Sequence, residues 1–182
     1  DAIPFGNFLN ILKNTNGRTV IVISALGKTT RMLESAAYAA ESRNREYWEI
    51  SLAQIETFHL ELANNLFSRD DLKNEINEYI INKIEILKQY LVSIEVLEEL
   101  TPRTLDSILA FGEEIAMFVI SNYLIEQSIN FSQIDARKII ATDDNFNDAN
   151  PNMELIHKNI NEKLIPLFEK SRIILTQGFI GS

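Results

Sequence analysis

Four groups of residues in this chain have types and spacings that suggest chemistry. The first is Gly27-Lys28-Thr29-Thr30, which ends the apolar run VIVISAL and opens a helix-forming stretch, RMLESAAYAAESR. Strand, glycine-lysine-threonine, helix is the order of a phosphate-cradling P-loop, G-x-x-x-x-G-K-[ST]. Counting back from Gly27, the first glycine of that motif falls on Val22. A valine inside a strand cannot wrap a phosphate with backbone N–H groups, so the P-loop reading fails. Two readings remain: a strand-to-helix turn with a solvated Lys28, or a ligand-facing turn. The second draws on the habit of α/β proteins to place ligands at strand carboxyl ends and anions at helix N-termini.

The second group is Phe111-Gly112-Glu113-Glu114. Glycine costs about 1 kcal/mol inside a helix, so Gly112 within a helical pattern signals close packing or the near approach of a ligand. Glu113 beside it has the charge to hold a cation such as a substrate ammonium; the competing reading is a solvated pair of glutamates. The third is His59, inside the helical pattern LAQIETFHLELANNLF, which reads as a packing or surface residue without chemistry. The fourth is Asp143, Asp144 and Asp148 in ATDDNFNDANPN. They lack the central glycine and distal glutamate of a calcium loop and read as turn formers. No Ser/His/Asp or paired-carboxylate arrangement can be defended.

The elements that position these residues follow from periodicity. Three short runs bounded by turn residues read as strands: Thr19–Ala25, Asn130–Asp135 and Ile173–Ile180. The first and third are continuously apolar, which predicts inner strands of a mostly parallel sheet covered on both faces. Residues 44–100 read as an unbroken helical insertion. Within it Ile76, Ile80, Ile84, Leu87, Leu91 and Ile94 form one helical stripe. Thr101 and Pro102 suit an N-cap and first helical position, opening a helix through Leu105, Ile108, Leu109 and Ile115 to Tyr123. A last helix carries Met153, Ile156, Ile160, Leu164 and Leu167 on one face, with Pro166 expected to bend or fray its end.

Bulk properties narrow the classes. The 182 residues fit one domain with a substantial core. The net charge of −9 argues against nonspecific nucleic-acid binding. The chain has no cysteine, and its two histidines, His59 and His157, show no ligand spacing, which excludes thiolate sites and disfavours zinc. No apolar run approaches the ~20 residues of a membrane helix, and no signal-peptide pattern opens the chain, so the expected compartment is the cytoplasm. The chain starts at Asp1-Ala2 and stops at Gly181-Ser182, which suggests a piece of something longer.

Taken in order, VIVISALGKTTRMLE, TPRTLDSILAFGEE, IDARKIIATDDNFNDANP and ILTQGFIGS resemble aspartate kinase, the aspartokinase branch of the amino-acid kinase superfamily. The resemblance runs from about Arg18 to Ser182 and extends to the insertion with its Ile55–His59 pair; residues 1–17 would be the family's first helix and the approach to its second strand. It implies a three-layer αβα sandwich. The implied activity is ATP- and Mg²⁺-dependent phosphorylation of the L-aspartate side-chain carboxylate in lysine, threonine and methionine synthesis, carried out by a homodimer. By the same resemblance Ser24 and Thr29 stand beside the bound aspartate, and Glu113 pairs with its α-ammonium. Lys28 receives no role. Aspartokinases also carry an N-terminal lysine-phenylalanine-glycine-glycine-threonine-serine phosphate segment, a C-terminal nucleotide segment and ACT domains, none of which is in this sequence. The chain is thus expected to hold half a substrate pocket and to be inactive alone. Alternatives are another amino-acid kinase, the kinase half of a bifunctional aspartokinase–homoserine dehydrogenase, or a non-catalytic helical interaction module built on residues 44–126.

Overall fold

A computed structural model describes residues 3–181; Asp1, Ala2 and Ser182 lie outside the described residues. Three parallel strands, β1 (Thr19–Ile23), β2 (Ser132–Gln133) and β3 (Ile173–Gln177), form a sheet in the order β1-β3-β2. Among the described residues six α-helices accompany them: α1 (Ile3–Asn14), α2 (Thr29–Glu41), α3 (Arg45–Leu66), α4 (Asp70–Leu97), α5 (Pro102–Glu126) and α6 (Met153–Asn159).

β3 is the central strand, and its continuous apolar character has a simple cause. Ile173 and Leu175 face the main core with α5, while Ile174 faces a second cluster with Ile134, Ile139 and Leu164. Helical layers therefore cover both faces of the sheet, giving three layers. The expectation for β1 needs correction. It is an edge strand among the described residues: Ile21 and Ile23 pack on the main core, but Val20 and Val22 are 41% and 60% exposed. Their register partners on β3 are Ile174 and Thr176, so they share the face that the α6 layer covers only over β3 and β2. β2 is shorter than expected, with just two residues paired.

The insertion is two helices, not one. α3 and α4 lie antiparallel, since Arg45 at the start of α3 bonds Glu95 near the end of α4. The chain breaks at Phe67-Ser68-Arg69, where the Glu126 carboxylate, from the end of α5, accepts the N–H groups of Ser68 and Arg69 at 2.8 and 2.9 Å. That contact supplies acceptors to the first turn of α4, whose donors have no partner within the helix. The α4 stripe from Ile76 to Ile94 is buried throughout. α5 starts as expected, with Thr101 Oγ1 accepting from Thr104 N–H at 3.1 Å and Pro102 in the first turn.

Two further points differ from sequence expectation. α5 is long and apolar enough to cross a membrane by length and composition, but 78% of its apolar window is buried inside the fold, as in a core helix. The last helix does not simply fray at Pro166. It changes type, from α6 through a π turn (Ile160–Leu164) to a 3-10 segment (Ile165–Glu169) containing Pro166. Proline has no N–H to give to a carbonyl four residues back, and the helix adjusts before it.

Candidate functional site

The carboxyl edge of the parallel sheet gathers the candidate residues. Ser24 follows β1 directly and is exposed. Beside it, the N–H of Gly178, just beyond β3, donates to Ile23 O at 2.7 Å. The end of β3 also holds the loop after β2, because Gln177 Oε1 accepts from Ala136 N–H at 2.9 Å. The three strand ends thus form one ledge, the place where open α/β sheets bind ligands.

The turn after β1 is closed locally. Thr29 N–H donates to Leu26 O at 3.2 Å and Thr29 Oγ1 donates to the same carbonyl at 2.6 Å. Thr29 is 1% exposed, so its hydroxyl serves the turn from inside. Gly27 takes φ +61°, a left-handed conformation that favours glycine. A cavity of about 390 Å³ opens here, lined by Gly27, Lys28, Thr30 and Arg31 at the start of α2.

Glu113 reaches this turn from α5. Its Oε1 accepts the Ala25 N–H at 3.2 Å, across 88 residues of sequence. Glu113 is 3% exposed, and its Oε2 is buried without a hydrogen-bond partner. Burial pushes its pKa above the usual carboxylate range, an effect the Ala25 N–H partly opposes. The close approach depends on Gly112: a Cβ there would stand 2.8 Å from Ala25 Cβ and 3.5 Å from Thr29 Cγ2. Gly112 lets α5 lie on the turn, and Glu113 and Thr29 meet around the same few backbone atoms. A buried carboxylate with an unused oxygen is an acceptor for a desolvated cation, since an unmet buried lone pair is costly.

Glu113 and Glu114 are not a solvated pair. Glu114 points elsewhere on α5 and accepts from Lys83 Nζ of α4 at 2.6 Å through Oε2. Its Oε1 lies 3.1 Å from Arg137 Nη2, and Arg137 also bonds Asp135 on its own turn. Arg137 lies in the short 3-10 turn Ala136–Lys138 that follows β2, and nothing in its local sequence singles it out.

The other candidates resolve into structural roles. His59 is fully buried, its Nδ1 2.7 Å from Ile55 O, and burial lowers its pKa. Asp143 accepts from Asn145 N–H and from the backbone and side-chain amides of Asn150, which organises its loop and lowers its pKa. Among the described residues, no group of three or more His, Cys, Asp or Glu could hold a metal ion.

The fold is that of a three-layer α/β protein, with its candidate site at the carboxyl end of a parallel sheet. The chain belongs to the amino acid kinase family, whose model matches residues 3–182. It is 32% identical over 177 residues to the chloroplastic aspartokinase 2 of Arabidopsis thaliana, covering 94% of this chain and 31% of that protein. It is 25% identical over 172 residues to the lysine-sensitive aspartokinase 3 of Escherichia coli, with 94% and 36% covered. The structure of E. coli aspartokinase III in complex with aspartate and ADP superposes with a TM-score of 0.81 at 25% identity, covering 95% of this chain and 36% of that one. The chain spans about a third of the length of these relatives.

Proposed function

We propose that the polypeptide carrying this chain is an aspartate kinase, which transfers the γ-phosphoryl of ATP to the L-aspartate side-chain carboxylate and forms 4-phospho-L-aspartate. This segment supplies the acceptor side of the site, and the pathway served is lysine, threonine and methionine synthesis. The observation that carries the reading is Glu113, a buried carboxylate with one oxygen unpartnered beside the β1–α2 turn. An amino-acid acceptor brings an α-ammonium of the right charge to that oxygen, and ion pairing is strongest where water is excluded. Ser24, exposed at the ledge, is the hydroxyl proposed to contact the same substrate, while Thr29, buried with its hydroxyl bonded to Leu26 O, shapes the turn beside it.

No phosphoryl-transfer step is assigned to the residues of this segment. In this reading ATP and Mg²⁺ are held by other parts of the polypeptide, with Mg²⁺ neutralising charge on the transferred group. The segment's own contribution is to bind, orient and desolvate the acceptor. The working assembly is a homodimer in the cytoplasm. Similarity to a chloroplastic bifunctional aspartokinase/homoserine dehydrogenase 2 of Zea mays, 24% identical over 173 residues and 94% of this chain, keeps a fused second enzyme as the alternative architecture.

Incubating the full-length protein with ATP and aspartate, then trapping the acyl phosphate with hydroxylamine, is the test. Hydroxamate is expected with aspartate and not with other amino acids, and the isolated segment is expected to give none. Glu113→Ala should raise the aspartate KM roughly 10²-fold, about 2–3 kcal/mol, with the ATP KM little changed. An aspartate affinity unaltered by that substitution would favour a helical interaction module on residues 44–126 instead.

A further inference from the structure

At the turn after β1, the helical insertion contributes an aromatic ring. Phe58, on α3, points its ring tip at the backbone of Gly27: a Cβ on Gly27 would stand 2.9 Å from Phe58 Cζ and 3.4–3.5 Å from the two Cε atoms. Gly27 is the residue of the Leu26–Thr29 turn held at positive φ, and it lines the cavity at the start of α2. Phe58 is 39% exposed, so it is no core anchor. The ring also makes an edge contact with the His59 ring, centroids 4.9 Å apart. His59 in turn is fully buried and bonded to Ile55 O.

A large, partly exposed ring pressed on a bare glycine does little for the core, but it restricts the turn. Two independent observations coincide at this point: a backbone conformation that favours glycine, and a space that only a glycine leaves for the ring. We propose that Phe58 is a positioning residue for acceptor binding, which lets α3 set the geometry of the Gly27–Thr29 turn without touching the substrate. The proposal rests on the acceptor-site reading above. Through Gly27 the ring fixes where Lys28 and Thr29 begin α2, and so the lip of the cavity there; the same turn carries Ala25, whose N–H bonds Glu113. Misplacing a binding group by a fraction of an ångström weakens binding well before it unfolds the protein.

The test uses the full-length enzyme. Phe58→Ala should raise the aspartate KM roughly three- to tenfold, with kcat and the ATP KM within about twofold. Phe58→Tyr, which keeps the ring, should restore the wild-type KM; Phe58→Leu should fall between and serves if the alanine variant does not fold. Gly27→Ala should also raise KM, and the Gly27→Ala/Phe58→Ala double variant should lose less than the sum, because removing the ring relieves the clash. An aspartate KM unchanged in Phe58→Ala and Phe58→Leu, or a loss confined to thermal stability, overturns the proposal. A wild-type enzyme that forms no aspartyl phosphate overturns the acceptor-site reading, and this proposal with it.

Discussion

At Glu113, folding and binding make opposite demands on one carboxyl group. Burial favours the neutral acid, whereas an ammonium ligand requires the carboxylate. The folded-state pKa is raised, so the stabilising contribution of the protonated form is complete below the unfolded value and lost as pH rises through the folded one. Glu113→Gln, which keeps the shape without the charge, should therefore raise the melting temperature by about 2–4 °C near neutral pH and leave it unchanged near pH 4. Binding runs the other way. The wild-type aspartate KM should climb as pH falls through the raised Glu113 pKa, at a higher pH than an ordinary glutamate would give. KM in Glu113→Gln should be high and flat across that range. Parallel pH profiles in the two proteins would remove Glu113 from ammonium recognition. At this scale the sequence was informative about Glu113 and silent about Arg137. A glycine-glutamate pair in a helix breaks a local rule and draws attention, while an arginine in a polar turn breaks none.

At the scale of elements, what was legible followed the helical period. The α4 stripe and the Thr101-Pro102 start of α5 are local patterns, and each occurs where the spacing puts it. The break between α3 and α4 is not local. Its acceptor is Glu126, 57 and 58 residues away, and nothing in Phe67-Ser68-Arg69 announces it. Gly112 lies between these cases, since the sequence flagged a close approach but could not name the neighbour. Because that neighbour is Ala25 Cβ, bound directly to backbone, it has no flexible end that could move aside. Gly112→Ala gains about 1 kcal/mol of helix propensity, but the overpacking it forces costs typically 1–3 kcal/mol. The expected net result is a modest fall in denaturant midpoint with a weakened Ala25–Glu113 bond and a raised aspartate KM. A variant more stable than wild type with unchanged KM would show that the turn adapts freely to the added methyl.

For the whole molecule, two features depend on how separate parts of the chain come together. Apolar character placed β1 among the inner strands, yet Val20 and Val22 are exposed, because edge or centre is decided by which segments lie alongside and not by the strand's own residues. The second feature is the charge cluster joining three elements: Lys83 of the insertion, Glu114 of the site helix, and Arg137 after β2. Burial alone would lower the Lys83 pKa, but the hydrogen bond and attraction of Glu114 outweigh it and leave the pKa raised. The Lys83 and Glu114 side chains are 20% and 18% exposed, drier than a surface pair and wetter than a core one. Exposed pairs contribute about 0–1 kcal/mol, and breaking a buried one costs about 3–5 kcal/mol. Lys83→Met should therefore cost about 1–2 kcal/mol, measured by denaturant unfolding of the full-length protein. Lys83→Met/Glu114→Met should cost less than the two single changes added together, because the double variant leaves no half-buried carboxylate short of a partner. Strict additivity would mean that the insertion is held to the site helix by apolar packing alone, Tyr79 stacked on Phe118 included.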